Sequence, residues 1–252
     1  YYLALGDSLA FGYQQARFNA NFPTEPPTAF NTGYVDDFAS LLTGVRSSTE
    51  TVNDSCPGET SGTFLVGGCP YTSAGFTLHN SYSGSQMDAA LSFLRAHPGQ
   101  VNPITLDIGS NDFNTLISTC GLTGTTCLAQ GASAILTQYS INLSQILAAL
   151  RSVAPTSEII VMQYYNPYTL VQPASDQIVA QQNSIIAAEA ATYRARVADA
   201  YTPFNVASPQ PQTLCTLSLI CTQSDIHASD AGYSVIAQQF WAASGYANII
   251  DS

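Results

Sequence analysis

Short apolar segments of strand length alternate along this chain with longer segments of helical periodicity. Strand character is found at residues 1–5, 104–108 and 159–163, and more weakly at 195–200. Strands separated by helices require crossover connections, which build a parallel sheet with helices on its faces. The alternation therefore predicts a three-layer α/β fold, in which helices flank a doubly wound parallel sheet. Apolar residues spaced three and four apart predict the clearest helices at 34–42, 85–96, 128–153, 174–194 and 230–243.

The length of 252 residues fits a single domain, and we expect one domain over residues 1–252. No apolar run approaches the roughly eighteen residues that a membrane-spanning helix needs, so we expect no integral membrane segment. The chain opens directly on a strand-like segment, without the basic start and apolar stretch of a signal peptide. We therefore expect any export signal to have been removed ahead of this point.

The charge of the chain argues against nucleic acid and anionic membrane partners. There are 17 acidic and 6 basic residues, giving a formal net charge of -11, and every base is an arginine. Binding to phosphate backbones or anionic lipid surfaces relies on clustered Lys and Arg side chains. No such cluster occurs in the sequence, and we predict no nucleic-acid partner.

The six cysteines fall into three pairs of close neighbours in sequence, which predicts disulfide bonds. Six cysteines allow fifteen pairings in principle, and the short separations favour bonds between neighbours. Zinc binding is the alternative, but the tight Cys-x-x-Cys and His-x-x-x-His spacings of zinc sites do not occur. Because disulfides persist in oxidising compartments, we expect a secreted, extracellular protein. The predicted pairs are Cys56 with Cys69, Cys120 with Cys127, and Cys215 with Cys221.

Two polar motifs follow predicted strands, at the edge where parallel sheets bind their ligands. Gly-Asp-Ser-Leu at 6–9 comes after the first strand, and Gly-Ser-Asn-Asp at 109–112 comes after the central one. A serine that begins a helix after a glycine-containing turn has an exposed hydroxyl surrounded by unpaired backbone N–H groups. This arrangement suits a nucleophile. Serine is also a favoured helix cap, so Ser8 alone does not decide between the two roles.

Four short blocks, in order along the chain, resemble those of the SGNH (GDSL) hydrolase superfamily. They extend from Ser8 near the start of the chain to His227 near its end. The resemblance implies a flavodoxin-like α/β domain and a serine esterase or lipase that needs no metal and no cofactor. The blocks are Ala-Leu-Gly-Asp-Ser-Leu at 4–9, Asn-Asp-Ser-Cys-Pro-Gly-Glu-Thr at 53–60, Asp-Ile-Gly-Ser-Asn-Asp at 107–112 and Asp-Ile-His-Ala-Ser-Asp-Ala-Gly-Tyr at 225–233.

By this resemblance, Ser8 attacks an ester carbonyl and His227 acts as its general base. The oxyanion is held by the backbone N–H groups of Ser8 and Gly58 and by the side-chain amide of Asn111. Glycine lets a backbone N–H approach the substrate without a Cβ in the way, and an asparagine amide is a neutral donor. Taken singly, each has a structural alternative: a turn for Gly58, a helix cap for Asn111 and a surface position for His227.

The last block departs from the family pattern at its acidic residue. The family places an aspartate three residues before the histidine, where its carboxylate accepts the imidazole N–H and fixes the tautomer. Ser224 occupies this position here, and Asp225 lies two residues before His227. We predict that Asp225 is the third catalytic residue. The alternative is a Ser–His dyad in which a backbone carbonyl near Ser224 contacts the ring.

The predicted function is hydrolysis of carboxylic esters through an acyl-enzyme on Ser8. The expected substrate is a small-molecule, lipid or carbohydrate ester, and the expected protein is a monomer. Two alternatives stay open: a secreted carbohydrate- or surface-binding module that keeps the fold with little turnover, and an acyltransferase.

Two polar or proline-bearing segments, 14–32 and 70–83, lie close in sequence to the motifs and are predicted to be loops over the site. Their aromatic residues are compatible with a groove for short to medium acyl chains. The candidates for this groove are Phe18, Phe22, Phe30, Phe76 and Tyr82.

Overall fold

The computed structural model describes residues 1–121 and 124–246, which include a sheet of five strands. Neighbouring strands all pair in parallel, in the order β2-β1-β3-β4-β5. This order is the flavodoxin-like one, and it confirms the doubly wound α/β fold predicted from the sequence. The strands are β1 (Tyr2–Gly6), β2 (Thr51–Asn53), β3 (Ile104–Asp107), β4 (Ile159–Gln163) and β5 (Arg196–Asp199).

The chain order reverses beside β1, which pairs with β2 on one side and with β3 on the other. Ligands of open parallel sheets bind at such a reversal, outside the carboxyl ends of the strands. Gly6 at the end of β1 is in register with Asp107 at the end of β3. The two polar motifs therefore leave the sheet side by side.

Helices cover the sheet as two groups. Helix α3 packs on α12, while α8 packs on α4, α6, α7 and α9. None of the helices in the described part of the chain is long and apolar enough to cross a membrane. The helices are α1 (Ser8–Phe11), α2 (Gln15–Asn21), α3 (Tyr34–Val45), α4 (Ser61–Val66), α5 (Pro70–Ser73), α6 (Gln86–Ala96), α7 (Ser110–Cys120), α8 (Thr125–Val153), α9 (Ser175–Thr192), α10 (Gln212–Leu217), α11 (Ile220–Gln223) and α12 (Asp230–Ala243), with a short 3-10 helix at Pro27–Phe30 and a π-helix at Thr202–Val206.

Helix α8 shows why the periodic segments pack as they do. Its buried residues recur at spacings of three and four, as in Tyr139, Leu143, Ile146, Leu147 and Leu150, and therefore lie on one side of the helix. The main hydrophobic core contains this stripe together with the buried strands. The length of this helix thus follows from the length of the apolar pattern.

The four predicted strands and five predicted helices are present, with ends shifted by at most three residues. The prediction that residues 14–32 and 70–83 are loops is wrong in part. The first segment contains α2 and the 3-10 helix, and the second contains α5. Helix α2 has none of its own residues buried, so it lacks the apolar stripe by which a helix is recognised in a sequence.

The three neighbouring cysteine pairs are joined as disulfides, Cys56 to Cys69, Cys120 to Cys127 and Cys215 to Cys221. The Glu59 carboxylate lies within 4.8 Å of the sulfurs of the first pair. Sulfur in a disulfide is not the thiolate that binds zinc, so this cluster does not support the metal alternative.

Candidate active site

The turn after β1 presents Ser8 at the first position of α1. The Asp7 carboxylate accepts the N–H of Leu9 at 3.0 Å, and the Asp107 carboxylate accepts the N–H of Ala10 at 3.1 Å. These bonds satisfy two of the amides that a helix start leaves without partners. Gly6 is required here because a Cβ at this position would lie 2.0 Å from Asp107 Oδ1, and because its φ is +146°.

Three of the predicted residues form a continuous hydrogen-bonded chain. His227 Nε2 lies 3.0 Å from Ser8 Oγ, and His227 Nδ1 lies 2.5 Å from Asp225 Oδ1. The ring therefore has one nitrogen toward a hydroxyl and the other toward a carboxylate. This is the arrangement in which a histidine removes a proton from serine while a carboxylate fixes its tautomer.

The Asp225 carboxylate is held by backbone groups as well as by the ring. Its Oδ1 accepts the N–H of His227 at 3.1 Å, and its Oδ2 accepts the N–H of Gln15, at the start of α2, at 2.8 Å. Burial alone would raise the pKa of Asp225, but the hydrogen bond and charge of His227, with the two backbone N–H groups, lower it on balance. The group facing the ring is thus a carboxylate, and the backbone carbonyl near Ser224 does not take this place.

Three groups that suit an oxyanion hole face one pocket with the catalytic chain. Ser8, Gly58, Asn111 and His227 line it together. Gly58 has a φ of +84°, a backbone conformation that favours glycine. One N–H of the Asn111 amide donates to the carbonyl oxygen of Glu59 at 2.9 Å. Since an amide carries two such hydrogens, this bond orients the side chain and leaves a second donor.

Asp112 connects two of the motif loops. Its carboxylate accepts the N–H of Ser61 at 2.8 Å and the Ser61 hydroxyl at 2.6 Å. Ser61 begins α4, directly after the loop that contains Gly58, and Asp112 directly follows Asn111. Asp112 therefore fixes the spacing between the two loops that carry candidate oxyanion donors.

The pocket beside Ser8 is aromatic and has a volume of about 330 Å³. Of the five aromatic residues predicted for an acyl groove, Phe18 and Phe76 line it. The prediction is wrong for Phe22, Phe30 and Tyr82. Phe30 is fully buried in the packing behind the pocket, Phe22 is 64% exposed, and Tyr82 packs at the edge of the same aromatic cluster. The lining residues that sequence reasoning missed are Tyr13, Pro57, Pro70, Tyr71, Ala74 and Ile226.

A larger groove, of about 980 Å³, lies between α8 and α9. It is lined by residues such as Leu136, Ile141 and Ile185, and by none of the predicted site residues. Size alone therefore does not identify the site, since the smaller pocket is the one that Ser8 and His227 line.

Three buried carboxyl groups lie beneath the nucleophile turn. Asp7 accepts the Tyr164 hydroxyl at 3.0 Å, and Asp107 accepts the Tyr34 hydroxyl at 2.8 Å. Burial raises the pKa of both groups, and the Asp7 charge raises that of Asp107 further. Burial also raises the pKa of Glu59 to about 7. All three carboxyls therefore take up a proton at a higher pH than an exposed carboxyl does.

A model of the GDSL-like lipase/acylhydrolase family matches residues 4–235 of the chain. The chain belongs to this family. It is accordingly an enzyme of the esterase and lipase class, as the four sequence blocks predict. No curated protein matches the chain in sequence.

Solved structures show the same fold at low sequence identity. Phospholipase A1 from Streptomyces albidoflavus NA297 is 17% identical, with a TM-score of 0.65, and the match covers 96% of this chain and 98% of that one. An extracellular lipase from Streptomyces rimosus is 17% identical, with a TM-score of 0.64 and 96% and 99% covered. A variant of Axe2, an acetyl xylan esterase from Geobacillus stearothermophilus, is 18% identical, with a TM-score of 0.62 and 97% and 94% covered.

Proposed function

We propose that this chain hydrolyses carboxylic esters of short to medium acyl chains through a covalent acyl-enzyme on Ser8. The observation that carries the proposal is the continuous hydrogen-bonded chain from Ser8 Oγ through the His227 ring to the Asp225 carboxylate. In this role His227 is the general base, and Asp225 fixes its tautomer and stabilises the imidazolium.

Acylation begins when the ester carbonyl enters the pocket with its carbon beside Ser8 Oγ. His227 Nε2 removes the hydroxyl proton as the oxygen attacks, and the carbonyl oxygen becomes an oxyanion. The backbone N–H groups of Ser8 and Gly58 and the free N–H of Asn111 donate to this oxygen. When the tetrahedral intermediate collapses, the C–O bond to the alcohol breaks and His227 gives its proton to the leaving oxygen.

Deacylation repeats these steps with water. His227 removes a proton from the water that attacks the acyl carbonyl, and the same three donors hold the second oxyanion. Collapse breaks the bond to Ser8 Oγ, which recovers its proton from His227. Each turnover therefore consumes one ester and one water and returns the enzyme unchanged.

The pocket supports an apolar acyl group. Its lining combines Phe18, Tyr71 and Phe76 with the side chains of Pro57 and Pro70. Sites of this volume and composition bind ligands mainly by burying apolar surface. A related structure is described as a phospholipase and another as an acetyl xylan esterase. The two names refer to esters that differ in the length of the acyl chain and in the alcohol. The aromatic lining of the pocket in this chain favours acyl chains longer than acetyl.

An oxidising compartment is proposed as the place of action. Three disulfides in a chain of 252 residues are typical of proteins outside the cytosol. We also propose that the protein works as a monomer, because all the proposed catalytic groups come from one chain. The binding-module alternative has no support in this geometry, since the complete Ser8–His227–Asp225 chain is what turnover needs.

The test is turnover of p-nitrophenyl esters from acetate to palmitate by the wild type and by Ser8→Ala. The variant should lose turnover and keep the thermal stability of the wild type. Ser47→Ala, at an exposed serine between α3 and β2, is the matched control and should behave like the wild type. A serine-directed phosphonate should block hydrolysis and form an adduct on Ser8 detectable by mass spectrometry. Near wild-type turnover by Ser8→Ala, or a phosphonate adduct on a residue other than Ser8, would contradict the proposal.

A further inference from the structure

Gln14 is a polar side chain buried against the loop that contains His227. Only 7% of it is exposed. Its amide nitrogen donates to the carbonyl oxygen of Ala228 at 3.0 Å and to Asp230 Oδ1 at 3.0 Å. Its amide oxygen accepts from Arg17 Nε at 2.7 Å. The amide nitrogen of Gln14 is thus bonded to the histidine loop, and its amide oxygen is bonded to Arg17, which itself pairs with Asp230.

The residue after Gln14 contacts the same loop on the other side of the histidine. The backbone N–H of Gln15 donates to Asp225 Oδ2 at 2.8 Å. Two consecutive residues therefore bind the chain on both sides of His227, at Asp225 before it and at Ala228 after it. Arg17, one turn further along the chain, completes the contact, since its Nη2 donates to both carboxylate oxygens of Asp230, at 2.8 and 2.9 Å.

These polar contacts determine where α2 lies. Apolar packing contributes through Phe18, which is half-buried against Tyr71 and Phe76, but no residue of the helix is fully buried. The Arg17–Asp230 pair is partly exposed, at 28% and 66% of the two side chains, and such pairs contribute little alone. The hydrogen bonds of the buried Gln14 amide thus attach the start of α2 to the histidine loop, beside the bond that the Tyr233 hydroxyl donates to the Tyr13 carbonyl oxygen at 2.6 Å.

From these contacts we infer that Gln14 is a positioning residue for the catalytic carboxylate. By holding the first turn of α2 against Ala228 and Asp230, it keeps the Gln15 N–H directed at Asp225 Oδ2, and so keeps Oδ1 on the His227 ring. The inference rests on the proposed function for its catalytic meaning. It accounts for how an aspartate two residues before the histidine is held in place in this chain.

Loss of the contact between Gln14 and the histidine loop makes protonation of the His227 imidazole less favourable. Without the Gln15 N–H, the Asp225 carboxylate is free to turn away from the ring, and its negative charge stabilises the protonated imidazole less well. The ring therefore loses its proton at a lower pH. The titratable and charged groups that face Asp225 and His227 are Asp7, Tyr13, Arg17, Tyr165, Asp230 and Tyr233.

The substitution Gln14→Met tests this without changing any charge. It keeps the length of the side chain and removes its hydrogen bonds, so a change in the titration of His227 cannot come from a change in net charge. The matched control is Gln223→Met, the same substitution at an exposed glutamine of α11.

The first measurement is the NMR titration of the His227 ring, assigned with the help of His227→Asn because the chain has 3 histidines. In Gln14→Met, we expect the titration midpoint to fall by roughly half a pH unit or more, and in Gln223→Met to stay at the wild-type value. The second measurement is the pH profile of kcat/KM for a p-nitrophenyl ester. Its acid limb should move down by the same amount, and kcat should fall about tenfold, the size expected for a charge-assisted hydrogen bond.

An unchanged midpoint in a folded Gln14→Met variant would overturn the inference, because a purely structural role lowers stability without moving the titration. If Gln14→Met does not fold, Gln14→Asn carries the same test with a smaller shift and again without a change of charge, since a side chain one methylene shorter draws its amide away from Ala228 and Asp230. The NMR readout does not need turnover. Failure of the proposed function therefore shows in the ester and phosphonate assays, and failure of this inference in the titration.

Discussion

The Asp225 carboxylate reaches the His227 ring across a turn of two residues. Ser224, directly before it, has a left-handed backbone with a φ of 53°. The turn lets Asp225 Oδ1 accept both the backbone N–H and the ring N–H of His227. A carboxylate that binds both groups of one residue limits how that residue can rotate. A short loop can therefore orient the ring as the longer spacing of the family pattern does.

This geometry predicts that Asp225→Asn lowers kcat by roughly 10²- to 10⁴-fold, because an amide neither stabilises the imidazolium nor selects the correct tautomer. Ser224→Asn, at the position where the family pattern has its aspartate, is the control. Asparagine tolerates the left-handed conformation, so this variant should keep wild-type kcat. Steady-state kinetics and circular dichroism of both variants check the prediction. Equal effects of the two substitutions would instead support a dyad assisted by a backbone carbonyl.

Among the proposed oxyanion donors, Asn111 has a side chain already oriented by a hydrogen bond, because its amide donates one hydrogen to the Glu59 carbonyl oxygen. Asn111→Ala should lower kcat by about 10²- to 10³-fold with little change in KM, because the lost hydrogen bond is made mainly in the transition state. Asn31→Ala, at an exposed asparagine, serves as the control. A fall confined to KM would show that Asn111 binds the ground state and not the oxyanion.

At the scale of elements, two short helices form the aromatic wall of the pocket. Helix α2 contributes Phe18, and the segment after α5 contributes Phe76, with ring centroids 5.0 Å apart. The ring of Tyr71 in α5 packs against Phe76, with the centroids 4.9 Å apart and the ring planes tilted by 37°. The wall is thus assembled from elements that are far apart in sequence and held by side-chain packing.

This wall predicts an effect that depends on acyl length. Phe18→Ala should lower kcat/KM for octanoate esters by about tenfold and leave acetate esters nearly unchanged, since only the longer chain extends along the removed ring. Phe22→Ala removes an aromatic residue that is 64% exposed and does not line the pocket, so it is the matched control. Values of kcat/KM for both variants across the series of acyl lengths check this prediction. A uniform loss across all acyl lengths would indicate a structural role for Phe18.

The same elements show why the sequence predicts some features and misses others. Strong apolar periodicity made α8 and α12 predictable, because long buried faces leave a clear pattern. Strand β2 has three residues, of which one is exposed and one half-buried, so it has no such pattern. The four candidate residues Ser8, Gly58, Asn111 and His227 could be named because each lies in a motif block that resembles the family, and the proposed chemistry restricts the residue type there. The pocket wall was not, because any large apolar side chain can serve, and the fold of the loops selects which ones do.

At the scale of the whole molecule, acidic groups outnumber basic ones by 17 to 6, and several of the acids are buried without a cation. Burial raises the pKa of Glu59 to about 7 and those of Asp36 and Asp54 to about 6. The pKa values of Asp7 and Asp107 are raised as well. The folded protein therefore binds more protons than the unfolded chain over the mildly acidic range.

The sign of the resulting pH dependence follows from linkage. A carboxyl with a raised pKa contributes its full stability below the unfolded value of about 4, and this contribution is lost as the pH rises through the folded value. For Glu59, Asp36 and Asp54 the loss falls between about pH 4 and pH 7. Three groups act the other way, because burial lowers the pKa of His79 and of the N-terminal ammonium of Tyr1, and the pKa of Asp225 is also lowered. The Asp225 contribution lies below pH 4, which leaves His79 and the N-terminal ammonium of Tyr1 against six carboxyls, the sixth being Asp112, whose pKa is raised by burial.

We therefore predict that the melting temperature falls by roughly 5–10 °C between pH 5 and pH 8, the size that several kcal/mol produce in a domain of this length. Glu59→Gln, which keeps an oxygen acceptor for Gln86 and cannot ionise, should flatten this decline and be more stable than the wild type at pH 8. Glu50→Gln, at an exposed glutamate, should follow the wild-type curve. Differential scanning calorimetry across this range measures all three. Repulsion among the charges of a chain with a net charge of -11 also grows with pH and lowers the melting temperature in the same direction. A melting temperature that is level or rises with pH would therefore contradict the prediction and would mean that buried cations or water compensate these carboxyls.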